Sequence, residues 1–268
     1  LNPGACIIDG GNSNFKDSER RVSQLKDKGI EFLGMGVSGG EEGALKGPAM
    51  MPGGSLKAYE TTAPLLRKLA AKDSQGDACF GYLGGGGSGH LVKTVHNGIE
   101  YAEMQLLAEL YSMLEISDLP REELGRVFEN WNKGEFSSYL LGIMPAIVNK
   151  KEGDNYLIDK ITDQASHKGT GAWTAQTALE HGQDAGIIIA ALNARYHSTA
   201  GWFRDLPTNQ QKTRETKRHN KTEYHSHRRP PLSTAALLYA AETSPGGSSG
   251  CACPPTPGRP LLGVLVQS

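Results

Sequence analysis

The stretch Gly89-His90-Leu91-Val92-Lys93-Thr94-Val95-His96-Asn97-Gly98-Ile99-Glu100-Tyr101, continued to Leu114, decides how this chain is read. It contains no proline, and beyond Gly89 its only glycine is Gly98. Val92, Val95, Ile99, Ala102 and Leu106 recur at intervals of three and four, which is the period of an α-helix. A helix over 90–114 would be roughly 38 Å long, enough to cross a domain. Ser88 is placed to cap it, so the preceding Gly84–Gly89 run reads as an entry to the helix rather than a flexible spacer. The polar residues Lys93, His96, Asn97, Glu100 and Tyr101 fall at i, i+3, i+4, i+7 and i+8, which places them on one stripe. A lysine shielded from water loses its proton readily and serves as a base; a shielded glutamate keeps its proton and serves as an acid. His96 and Asn97 offer directional donors for hydroxyls, and Tyr101 suits a phosphate or sugar oxygen. A solvated helix face, where Lys and Glu are ordinary, is the plain alternative.

Before this helix the text alternates. Ala5–Asp9 is a short apolar run entering the Gly10-Gly11-Asn12 turn, and Lys16–Lys28 has helical character, with Val22 and Leu25 facing inward. Ile30–Val37 reads as a strand, Ser55–Ala71 as a helix containing Pro64, and Ala78–Leu83 as a third strand. Strand–helix–strand alternation predicts an α/β unit, small enough to be the last third of a sheet. After the long helix, Arg121–Asn130, Ser137–Asn149, Ala172–Gly182 and Ala185–Tyr196 read as helices, Pro145 bending or shortening the second, and no strand alternation is evident. Beyond about His197 the character changes. Gln210–Arg229 is polar and basic, and Ser244–Pro260 holds 12 Gly, Pro or Ser in 17 residues. Such text lacks the apolar surface that offsets ordering entropy, so 199–268 is expected to be mostly disordered, with at best a short helix over Ala235–Ala241.

One motif invites a different reading. Gly34-Met35-Gly36-Val37-Ser38-Gly39 matches G-x-G-x-x-G behind a strand, with Glu60 at a plausible distance for a ribose acid. The helix that should open at the third glycine is replaced by Gly40-Glu41-Glu42-Gly43-Ala44, Pro48 and Pro52-Gly53-Gly54. A glycine-rich loop that binds some other anion through its N–H groups is the better expectation.

Composition bounds the rest. At 268 residues, with 38% hydrophobic residues, the chain has room for one or two domains. It has no apolar run of membrane-spanning length. The start at Leu1-Asn2-Pro3-Gly4 shows neither an initiator Met nor a signal peptide. Four cysteines are too few and too scattered for a disulfide scaffold; Cys6 and Cys79 read as buried thiols of a reducing, cytoplasmic setting. The pair Cys251 and Cys253 beside a His-rich run lacks metal-finger spacing, so no metal is expected. The net charge of −1 hides a split: Thr199–Ser268 carries 9 Lys/Arg against 4 Asp/Glu, and the preceding 198 residues carry 19 against 25. A basic arm for nucleic acid is one reading of that split, but the tail has few aromatics to stack on bases, so no nucleic-acid partner is expected. Unrelated text joined at that point is the other.

The quoted helix, together with Ser38-Gly39-Gly40-Glu41-Glu42-Gly43-Ala44, Ile7-Ile8-Asp9-Gly10-Gly11-Asn12-Ser13 and His167-Lys168-Gly169-Thr170-Gly171-Ala172-Trp173-Thr174, closely resembles the 6-phosphogluconate dehydrogenase family over roughly residues 1–197. The resemblance implies NADP-dependent oxidation of 6-phosphogluconate at C3, then decarboxylation to ribulose 5-phosphate, in a homodimeric cytoplasmic enzyme of the pentose phosphate pathway. It implies Lys93 as base and Glu100 as acid. Ser38, Gly39 and Gly40 would hold the substrate near its carboxylate, and His96 and Asn97 would contact hydroxyls. Tyr101, Lys168 and Arg195 would clamp the phosphate, and Asn12 would touch both cofactor and substrate. The implied fold class is an α/β remnant of a Rossmann domain followed by an all-α domain opened by the long helix, with a mostly disordered tail. The expected domains are 1–86 (the later part of the NADP-binding domain), 87–198 (a partial helical domain) and 199–268 (an unmatched tail). Two departures stand out: Ala172 lies where the family has Lys, and no complete Gly-rich NADP turn is found, so the chain is expected to be inactive alone. A related β-hydroxyacid dehydrogenase, acting for example on 3-hydroxyisobutyrate, and a non-catalytic binding fragment are the alternatives.

Overall fold

The computed structural model describes residues 1–200. The expectations for the tail, including the helix over Ala235–Ala241 and the cysteine pair, lie outside the described residues. Two compact units are present: Leu1–Ile99 with Gly169–Asp184, and Glu100–Lys168 with 185–200.

In the first unit, β1 (Cys6–Asp9) is followed by α1 (Phe15–Lys26), which returns the chain to β2 (Glu31–Ser38). β1 and β2 pair in parallel, with Cys6 opposite Glu31 and Asp9 opposite Gly34. The Asn14 side chain caps α1 by accepting from the Lys16 amide. A short α2 (Gly40–Lys46) leads to β3 (Ala49–Gly54), which pairs antiparallel with β2, giving the order β1-β2-β3. α3 (Leu56–Leu69) follows, capped by Ser55 and containing Pro64.

Three expectations need correction here. The text read as a glycine-rich loop holds both α2 and β3, because Ala49, Met50 and Met51 bury against the sheet although Pro52-Gly53-Gly54 follows directly. The strand expected over 78–83 forms only two isolated bridges, Met50 with Phe80 and Lys72 with Ala78, although Met50 N donates to Cys79 O and Leu83 N to Pro52 O. Cys6 is exposed on β1 at the edge of the sheet, whereas Cys79 is fully buried beside Ala49 and Met51.

The expected long helix is α4, Ser88–Glu115, and the boundary between the units falls within it, after Ile99. The Ser88 hydroxyl donates to Gly84 O at 2.8 Å instead of capping the helix. In the second unit α5 (Leu124–Trp131) and α6 (Tyr139–Asn149) pack on the later part of α4 around Met104, Tyr111, Phe128 and Met144. α6 runs through Pro145 without interruption and buries Leu140, Leu141, Ile143, Met144, Ile147 and Val148. Burial of that many apolar groups outweighs the roughly 3 kcal/mol that an interior proline costs. A two-residue hairpin, β4 (Lys151–Glu152) with β5 (Asn155–Tyr156), interrupts what was expected to be entirely helical. α7 (Thr170–Glu180) belongs to the first unit and α8 (Gly186–Thr199) to the second.

Among the described residues no helix is long and apolar enough to cross a membrane.

Candidate active site

The first turns of α4 lie directly on the sheet, because the sheet offers them no side chains. Gly34 and Gly36, two apart on β2, share one face, and Gly53 of β3 is the cross-strand partner of Gly34. A Cβ on Gly36 would stand 2.4 Å from Lys93 Cβ, and one on Gly34 would stand 2.8 Å from His90 Nδ1. A Cβ on Gly53 would meet Gly89 N at 2.3 Å, and one on Gly89 would meet Gly34 O at 2.1 Å. The glycines of the G-x-G motif are thus the seat of a helix, with no room left for a pyrophosphate.

That seat sets where the stripe points. Lys93 is buried, 7% exposed, with its stem against Gly36. His96 and Asn97 are half-buried one turn further on. Ser38, at the end of β2, places its hydroxyl 3.5 Å from His96 Nε2, at the outer limit of a hydrogen bond. His96 Nδ1 lies 3.3 Å from Asn97 Oδ1. After Ser38 the chain turns through Gly39 at φ 139° and Gly40 at φ 56°, backbone that L side chains rarely adopt. The structure therefore brings Ser38 together with His96 and Asn97. Asn12 is exposed on the turn that follows β1.

α7 fixes the same part of α4 from another side. The Thr174 hydroxyl donates to Thr94 O at 2.8 Å, and a Cβ on Gly98 would stand 2.7 Å from the Thr174 hydroxyl oxygen. Two helices approach this closely only where one lacks a side chain.

In the second unit Tyr101 and Arg195 come together. The Arg195 guanidinium carbon lies 3.6 Å from the centre of the Tyr101 ring, and Nη1 donates to Ser166 O at 2.7 Å. Arg195 is 1% exposed, and its Nε has no hydrogen-bond partner among the described residues. Burial lowers its pKa, opposed by the phenol of Tyr101 and the carboxyl of Glu100. Glu100 is half-buried and Lys168 is exposed. Among the described residues no group of three or more His, Cys, Asp or Glu is placed to hold a metal ion.

One cluster escaped the sequence reading. His90 is 1% exposed; its Nδ1 lies 2.6 Å from the Ser18 hydroxyl and its Nε2 3.1 Å from Asp9 O. Asp9 accepts from Gly11 N and from the Ser13 hydroxyl, and pairs with Arg21 at 3.3 Å. Partial burial raises the Asp9 pKa, but those hydrogen bonds, with His90 and Arg21, bring it below its ordinary value. The signal was present: extending the stripe by one step from Lys93 toward the N-terminus takes in His90.

A nucleotide-binding α/β unit of Rossmann type followed by a helical unit is the organisation of a dinucleotide-dependent dehydrogenase. The match to known proteins narrows this. Residues 1–84 match the NAD binding domain of 6-phosphogluconate dehydrogenase, and residues 89–241 match the 6-phosphogluconate dehydrogenase C-terminal domain. The chain belongs to the 6-phosphogluconate dehydrogenase family. The second match runs past the boundary at 198 that composition had set. The decarboxylating 6-phosphogluconate dehydrogenase of Escherichia coli (strain K12) is 53% identical over 201 residues, 74% of this chain and 43% of that protein. The solved 6-phosphogluconate dehydrogenase of Plasmodium falciparum, described with NADP+ and with 6-phosphogluconate, aligns at TM-score 0.73 and 40% identity, covering 90% of this chain and 51% of that one. A 3-hydroxyisobutyrate dehydrogenase from Salmonella typhimurium aligns at TM-score 0.56 and 14% identity over 89% of this chain and 70% of that one, a likeness of fold alone. The chain spans about half the length of the curated relatives it matches.

Proposed function

We propose that this chain serves the oxidative decarboxylation of 6-phosphogluconate to ribulose 5-phosphate and CO2, with NADP as the oxidant. The observation that carries this reading is Lys93, a lysine buried to 7% exposure on a glycine-faced sheet, with the Ser38, His96 and Asn97 polar group one turn away. Lys93 has little access to water there, the setting in which a lysine can serve as a general base.

In this reading Lys93 takes the proton of the C3 hydroxyl as hydride leaves C3. NADP, when bound, supplies the acceptor for that hydride. The new C3 ketone takes up the electrons released as CO2 departs, and Glu100 protonates the carbon that lost it, which becomes C1 of the product. Ser38, Gly39 and Gly40 hold the carboxylate end, and His96 and Asn97 orient the hydroxyls. Tyr101, Lys168 and Arg195 take the phosphate; Arg195 Nε, without a partner among the described residues, is a donor that a phosphate oxygen would satisfy. Asn12 fits the cofactor because it is exposed at the carboxyl end of a parallel strand, where nucleotides bind in such sheets. The glycines at 34 and 36 do not fit it, being covered by α4.

The domain division at 86/87 and 198/199, a homodimer and a cytoplasmic setting belong to the same proposal. The positively charged Arg195 against Tyr101 favours a phosphorylated sugar acid over a small β-hydroxyacid. The test is a hybrid in which residues 1–200 replace the corresponding segment of the Escherichia coli relative. It is expected to reduce NADP+ and release CO2 only with 6-phosphogluconate. Lys93→Met should lower kcat by about 10³-fold, within the range for removing a general base. Turnover of 3-hydroxyisobutyrate in place of 6-phosphogluconate, or a Lys93→Met hybrid of parental kcat, would overturn the reading.

A further inference from the structure

The proposed mechanism leaves unused a buried histidine whose two ring nitrogens are both engaged. His90, in the first turn of α4, reaches β1 through Asp9 O and α1 through the Ser18 hydroxyl. A carbonyl oxygen has no proton to give, so Nε2 carries the hydrogen and donates to Asp9 O. In the neutral ring Nδ1 then keeps a lone pair and accepts from Ser18, at 2.6 Å. Ser18 is itself fully buried, and its hydroxyl has two acceptors in reach, Asn14 O at 3.3 Å and His90 Nδ1 at 2.6 Å; its one proton goes to the much shorter contact. Behind the ring stands Gly34, where a Cβ would come within 2.8 Å of Nδ1, so this strand position admits the imidazole only because it has no side chain.

Asp9 is thereby held at both ends. Its carbonyl is tied to α4 through His90, and its carboxylate gathers Gly11 N at 3.0 Å and the Ser13 hydroxyl at 2.8 Å. Asn12 lies between those two anchored residues and is exposed. We infer that His90 is a positioning residue: as its neutral Nε2–H tautomer it fastens the Asp9–Ser13 turn to the helix that carries Lys93, and so sets where Asn12 is presented. The link to Asn12 and Lys93 as functional groups rests on the proposed function; the tautomer and the anchoring do not. Burial holds the imidazole pKa below its ordinary value, against the opposing pull of the Asp9 carboxylate on β1, while Arg21 on α1 works with burial.

The experiment uses the full chain, labelled with 15N. Long-range 1H–15N spectra near pH 7 should show a neutral His90 ring protonated at Nε2, the resonance being assigned by its loss in His90→Gln. Backbone amide exchange at Gly11 and Asn12 should accelerate about five-fold in Ser18→Ala and more in His90→Leu, with the amides of α6 unchanged. His90→Gln, which restores a donor near the Nε2 place, should stay within about two-fold of the parent. A ring protonated at Nδ1, or unchanged exchange at Gly11 and Asn12 in a folded Ser18→Ala, overturns the inference. Should His90→Leu fail to fold, the tautomer and Ser18→Ala decide it. No readout involves 6-phosphogluconate or NADP, so failure here is separable from failure of the proposed function.

Discussion

The two units solve the same packing problem in opposite ways. Around the first half of α4 the contact is made by leaving side chains out: Gly34, Gly36, Gly53 and Gly89 bring backbone against backbone. Around the second half the contact is made by filling space, with Met104, Tyr111, Phe128, Leu140 and Met144 interleaved. The difference teaches where each unit is fragile. A methyl added to the first has nowhere to go, while a ring removed from the second leaves a hole.

The largest expected effect tests the filled side. Phe128 is fully buried, and Phe128→Ala should cost about 4 kcal/mol in a urea unfolding curve, the transfer and cavity terms adding. Gly89→Ala tests the empty side: its Cβ meets carbonyl oxygens of both β2 and β3, which belong to rigid backbone, so about 3 kcal/mol should be lost. Were Gly89→Ala near neutral while Phe128→Ala behaved as expected, the contrast between the units would collapse.

A smaller effect sharpens the first unit alone. The folded chain holds His90 below its ordinary value of 6.5, so between the two values the unfolded chain binds the extra proton. This contribution to stability is complete above about pH 6.5 and is lost as pH falls through the lower, folded value. Urea midpoints measured from pH 7.5 to 5 should fall, and His90→Gln should flatten that slope. The Asp9 carboxyl, also held low, adds its own loss only in more acid solution. The smallest effect should be blind to the contrast. Ser55 caps α3 and Ser138 caps α6 by accepting from Ala58 N and Leu141 N, and each Ser→Ala should cost about 1 kcal/mol. Unequal losses would show that the units differ in more than packing style.

Much of this molecule was legible beforehand. α4 was placed within two residues at either end, because its apolar period from Val92 to Leu106 is unbroken and no proline interrupts the stretch. α1, β2, α3 and α8 were also read as the elements they are. β3 was not, since Ala49-Met50-Met51-Pro52-Gly53-Gly54 has neither alternation nor β-branched residues; it is a strand because β2 lies beside it. Pro145 was expected to bend or shorten α6, and the helix runs from Tyr139 to Asn149 through it on a buried face. Of the candidate residues, Ser38, His96 and Asn97 do come together, and so do Tyr101 and Arg195. His90 was passed over because the stripe was begun at Lys93, one step short of it; the carbonyl and hydroxyl it meets are set by the fold alone.

By itself the sequence determined the long helix and the stripe along it, because side-chain order on a helix follows from a period of 3.6 residues. Tertiary structure decided what the glycines mean. A missing Cβ permits close approach but does not name what approaches. In G-x-G-x-x-G the local text is the same whether a pyrophosphate or a helix comes in, and here it is the helix carrying His90 and Lys93 that occupies the place.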